Sequence, residues 1–146
     1  MSPFARALSR LVLIGAAASS LCAAPRVLRL TPPSGLFSFG DPKPPIIARF
    51  LPGQRFDLQA TLAPDAGEAI VGVAFYVDDR LVPGAITLVV ADAPGMPGGA
   101  VVATLRAYSQ ASPGVHRLTV SVTQLPGGQS AVAHGNFEVV PMAATA

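Results

Sequence analysis

Few residues in this chain have the chemistry of a site. Two histidines, His116 and His134, lie in the stretch SPGVHRLTVSVTQLPGGQSAVAHGNFEVV, residues 112 to 140. Two adjacent aspartates, Asp78 and Asp79, follow the apolar run VGVAFYV, and one cysteine, Cys22, stands near the N-terminus. Histidines and carboxylates that converge can bind a metal or move protons. Convergence depends on the elements that carry them. Residues 112 to 140 alternate as two strands around a Pro-Gly-Gly turn. His116, Leu118, Val120 and Val122 then share one face of the first strand. Ala131, Ala133, Gly135, Phe137 and Val139 form the apolar face of the second, with His134, Asn136 and Glu138 opposite. The two histidines fall on different faces of the sheet and cannot grip one metal. His116 follows a Pro-Gly turn and reads as a structural histidine bonding loop backbone; His134 reads as a solvent-facing strand residue.

Other chemistries fare no better. Calcium needs several oxygens from one compact loop, and Asp78 with Asp79 supplies too few, whereas Asp readily occupies tight turns. No Gly-x-Ser-x-Gly elbow exists, and no Gly-rich loop leads into a helix. The carboxylates are scattered through turns and outer strand faces. Sugar binding on β scaffolds uses exposed aromatic platforms; there is no Trp, and Tyr76 and Tyr108 take outward phases of their strands. The contact candidate is the loop containing Pro94, Gly95, Met96 and Pro97, since loops carry function on rigid β scaffolds. Its plainer reading is a connector. No catalytic, cofactor or metal residue is expected.

The surrounding pattern is all-β. Only 12% of residues are charged, and 14 Gly with 15 Pro punctuate the chain, which suits short strands joined by turns. Residues 25 to 45 form a proline-rich lead-in in which Val27, Leu28 and Leu30 can make a first edge strand before Pro32-Pro33. Phe56, Leu58, Ala60 and Leu62 alternate with polar residues. Strands follow near 70 to 77, 80 to 82, 85 to 92 and 100 to 109, then the final pair. The tail is 141 to 146. No segment has amphipathic helical spacing.

The first 24 residues are a separate object. Arg6 and Arg10 precede the apolar run Leu11 to Ala24, which ends in small residues. That order describes a secretory signal peptide, and the run is too short for the roughly 20 residues that cross a bilayer. Ser20 and Cys22 place small residues correctly for a cut before Ala23. Cys22 and Ala24 do so for a cut before Pro25, but proline there hinders the peptidase. A lipoprotein cut fails, because Ser19 and Leu21 occupy the positions that want Leu and a small residue. Arg6 and Arg10 also account for the whole formal charge of +2. The remainder is balanced, so nucleic acid is not an expected partner. With one cysteine, no internal disulfide can form. The expected location is periplasmic or secreted, with no stable membrane anchor after cleavage.

The segments VGVAFYVDDRLV and SPGVHRLTVSVTQLPGGQSAVAHGNFEVV together resemble a bacterial immunoglobulin-like domain. In that family a V-x-F-Y-V-D strand precedes a G-x-H-x-L-x-V strand and a Gly turn into the last strand. The resemblance covers about residues 46 to 140 and implies an immunoglobulin-like β-sandwich. The antibody-type Trp and cysteine pair are absent. More narrowly, RFLPGQRFDLQATLAPDAG, LRAYSQASPGVHRLTVSVTQ and GNFEVV are similar to the leading domain of some exported bacterial alkaline phosphatases, where a metal-dependent catalytic domain follows. The sequence stops at PMAATA after the last strand, so that kinship implies the accessory domain without the catalytic one. The expectation is a non-catalytic spacer or docking module whose partner is another domain or protein of the cell envelope. The alternatives are a phosphatase fragment and a carbohydrate- or surface-adhesion module. Residues 25 to 146 are expected to fold without metal or disulfide. Far-ultraviolet circular dichroism should show a strand signal unchanged by chelator or reductant; cooperative loss of that signal on adding chelator would refute it.

Overall fold

The computed structural model describes residues 23–32, 47–92 and 99–142. The described residues contain nine strands and no helix, in two sheets. The strands are β1 (Arg26–Thr31), β2 (Ala48–Phe50), β3 (Phe56–Ala63), β4 (Ala69–Val77), β5 (Arg80–Leu81), β6 (Ile86–Ala91), β7 (Ala100–Tyr108), β8 (Gly114–Leu125) and β9 (Ser130–Val139). One sheet has the order β1-β3-β7-β6 and the other β2-β9-β8-β4-β5. All pairings are antiparallel except that of β2 with β9.

Period-two alternation explains how the sheets face each other. Leu58, Ala60 and Leu62 of β3 and Val101, Ala103 and Leu105 of β7 point inward from one sheet. Phe75 and Val77 of β4, Leu118, Val120 and Val122 of β8, and Phe137 and Val139 of β9 point inward from the other. They form one continuous buried cluster, the apolar burial that holds a two-layer β structure together. Leu30 of β1, 2% exposed, belongs to it as well, so the compact unit already includes residues 26–31. At the opposite edge of that sheet, β6 leaves Leu88, Val89 and Val90 exposed.

Two features depart from plain alternation. The first is β2, only three residues long, which lies parallel to β9 with Arg49 opposite Glu138 and Phe50 opposite Val139. Three residues are too few for a periodic signal. Phe50 instead secures the strand by stacking on Phe56, with centroids 3.8 Å apart, and meeting the edge of Phe137 at 6.1 Å.

The second is a bulge in β7. Phe56 pairs with Tyr108 but Leu58 pairs with Leu105, so β7 carries one extra residue there. Ala107 takes φ of 58° inside it, and its amide donates to Oδ1 of Asp57 at 3.1 Å. The extra residue reverses the facing that strict alternation assigns to Tyr108. The outward phase expected for Tyr108 is therefore corrected: its ring meets Phe56 at 5.4 Å and Phe137 at 6.2 Å, packed against the core. Tyr76 keeps its outward phase between the inward Phe75 and Val77 and is half-buried.

A left-handed conformation strains any residue with a Cβ, and glycine relieves that strain at some cost in chain entropy. Ala107→Gly should therefore raise stability by about 0.5–1 kcal/mol, read from denaturant midpoints at unchanged slope. A destabilised variant would show that the bulge does not carry this strain.

Candidate functional site

The register of the last two strands places His116 opposite Phe137, on the inward face of β8. The residue is 7% exposed, and its ring stacks on Phe137 with centroids 5.3 Å apart. A polar ring so placed needs partners for both nitrogens. Nδ1 lies 2.6 Å from Oδ2 of Asp78, and Nε2 lies 2.7 Å from the backbone carbonyl of Ser112. A carbonyl and an ionised carboxylate only accept, so this pair of partners favours the imidazolium, in which both ring nitrogens donate.

Asp78 reaches this position through a tight turn. Val77 pairs with Arg80, leaving Asp78 and Asp79 as a two-residue connection with φ of 50° and 66°. Positive φ at both positions marks the turn whose twist suits a hairpin, and Asp tolerates it better than most side chains. The carboxylate of Asp78 then turns toward β8. Its Oδ1 accepts from the Arg117 amide at 2.9 Å, and the Asp78 amide donates to the Arg117 carbonyl at 2.9 Å. Asp79 Oδ1 meets the Arg117 guanidinium at 2.9 Å, but both side chains are more than half exposed, so this pair adds little.

Burial alone would push His116 below its ordinary 6.5. The bonds to Asp78 and Ser112, with the Asp78 charge, outweigh burial and hold the pKa above that value. Burial likewise works to raise Asp78 from 3.8. The bonds from His116 and the Arg117 amide, with the charges of His116 and Arg80, reverse this and hold it lower. The partners thus stabilise each other's charged forms.

In the imidazolium form both ring protons are engaged, so that form offers neither a lone pair for a metal nor a base for catalysis. Ser112 meets the ring through its backbone carbonyl. His134 is exposed on the outer face, with Nδ1 2.9 Å from the Thr119 hydroxyl. A whole sheet separates the two rings. Among the described residues no group of three His, Cys, Asp or Glu side chains converges as a metal site would require. A shallow concavity of about 330 Å³ lies over the β7 bulge, lined by Val82, Gly84, Leu105, Arg106 and Tyr108 among others. The contact loop Pro94, Gly95, Met96 and Pro97 lies outside the described residues.

The pH dependence follows from the signs. The folded pKa of His116 is raised, so its contribution is fully present below about 6.5 and is lost as pH climbs through the folded value. That of Asp78 is lowered, so its contribution is present above about 3.8 and is lost as pH falls through the folded value. Asp78 is 49% exposed, and solvent screening limits the pair to about 1 kcal/mol. The difference in Tm between the parent and His116→Gln should be widest at roughly pH 4–6.5 and shrink as pH rises above that range through the folded pKa of His116. A difference constant through that rise would refute the ionic dyad.

No protein-family model matches this chain, and no curated protein is significantly similar to it.

Proposed function

We propose that this chain is a non-catalytic immunoglobulin-like accessory module of an exported bacterial protein, serving as a spacer or docking domain for a neighbour in the cell envelope. The observation that carries the fold reading is the strand order. Immunoglobulin domains set strands A, B, E and D in one sheet and C, F and G in the other. Here β1-β3-β7-β6 follows the first order, and β9-β8-β4 follows the second in reverse, with β5 added beyond β4 and β2 beyond β9. His116 extends the parallel. In antibody-type domains a Tyr near the start of strand F bonds backbone a few residues upstream. Near the start of β8, the counterpart of F, His116 bonds the Ser112 carbonyl four residues upstream.

Non-catalytic use is supported by the engagement of the dyad, whose polar atoms hold a turn and a loop against β8. Docking is favoured over a passive spacer by the edge strand β6, where Leu88, Val89 and Val90 stand exposed in succession. Neither Lys nor Pro, which commonly protect sheet edges, occurs in β6. Sugar adhesion has weaker support, since Tyr108 is turned into the aromatic cluster. Any link to alkaline phosphatases runs through a catalytic neighbour, because metal-assisted phosphate hydrolysis needs several carboxylates and histidines around a metal pair about 4 Å apart.

Purified protein should therefore hydrolyse no chromogenic phosphate ester with zinc and magnesium supplied. Turnover that persists through two further purification steps and disappears on replacing His116 or His134 would overturn the accessory reading.

A further inference from the structure

Gln124 is the largest fully buried polar side chain of the described residues, at 0% exposure, although it lies near the end of β8. A buried amide needs partners at both ends. Its Oε1 accepts from the Asp65 amide at 3.0 Å, in the turn between β3 and β4. Its Nε2 donates to the carbonyl of Ala23, ahead of β1. The same residue is held at its other end: the Ala23 nitrogen lies 3.2 Å from Oδ2 of Asp65. Both backbone polar atoms of Ala23 are thus gripped from elements 42 and 101 residues away in sequence, and Pro25 is buried behind it. A proline-flanked segment preceding an edge strand has no need of this on account of its own sheet pairing, since β1 first pairs at Arg26 with Ala63.

We infer that Ala23 is the mature N-terminus of the protein, and that Asp65 and Gln124 form a receiving site for its α-ammonium and carbonyl. This rests on the export reading and narrows it to one bond. A signal peptidase adds water across the Cys22–Ala23 amide: Cys22 leaves with the new carboxylate, and Ala23 keeps the nitrogen as an amine that takes up a proton. A single amide N–H facing the carboxylate then becomes an ammonium with three donors, and the 3.2 Å hydrogen bond becomes an ion pair. The competing cut, before Pro25, removes Ala23 and deprives the buried Gln124 amide of its acceptor. The spacing of Ser20 and Cys22 suits the first cut, and the fold bonds both backbone polar atoms of the residue that this cut exposes.

The test uses the full chain, expressed with export in a bacterial host and followed by intact mass and N-terminal sequencing. The expected product begins at Ala23. A product beginning at Pro25, or at any other residue after export, overturns the inference while leaving export intact. A product retaining Met1 overturns both. A second measurement separates a receiving site from a coincidental cut. A neighbouring carboxylate holds an α-ammonium protonated and slows its reaction with an amine-directed reagent near neutral pH. Asp65→Asn should accelerate labelling of the N-terminal peptide by about threefold relative to the parent. The Asp65 amide that binds Gln124 is untouched by this substitution. Equal labelling rates would show that Asp65 does not receive the terminus.

Discussion

The contact between His116 and Asp78 ties the turn after β4 to the start of β8, at the point where the ladder between those strands ends. β5 is two residues long and pairs only with β4, so the turn before it has little ladder to fix it. The dyad adds to the bonds that Asp78 makes with the Arg117 backbone. Through Nδ1 the ring holds the turn; through Nε2 it holds the connection entering β8; through its face it rests on Phe137. Phe137 in turn meets Phe50, Phe56 and Tyr108, and these rings come from β2, β3 and β7. One imidazolium thereby ties a turn, a loop and the aromatic end of the core. A cation stacked on an aromatic face also gains from the ring quadrupole, which favours the charged form that the two acceptors already demand.

What was legible in the sequence is what repeats locally. Alternation placed Leu58, Ala60 and Leu62 inward and set His116 and His134 on opposite faces, because a two-residue period needs no knowledge of distant neighbours. The Asp78-Asp79 turn was legible because turn chemistry is local as well. One partner of His116 was legible and the other was not: the expected loop backbone is there as the Ser112 carbonyl, whereas Asp78 lies 38 residues away. The pair of aspartates at a strand end, together with a histidine opening a later strand, was the available signal. It becomes specific only once β4 and β8 are known to be neighbours.

Tyr108 shows the other way in which local reading fails. Period-two reasoning assumes that every residue advances the strand by one step. The Ala107 bulge adds a step without adding a partner, and all facing beyond it is inverted. The cause is again distant: Asp57, on the neighbouring strand, accepts the Ala107 amide. Reading β2 failed for want of length, since an element of three residues is specified by its aromatic contacts and its parallel pairing to β9 rather than by its own pattern.

These observations share a physical reason for the lack of visible chemistry. In a two-layer β structure half of each strand faces the core, where an isolated polar group is costly. Two polar groups that do enter, His116 and Gln124, are each bonded at both polar ends by partners from other segments. Those bonds are what permit burial. In the described residues the polar interior is organised for connection, with His116 closing one turn and Gln124 closing the opposite end around Ala23.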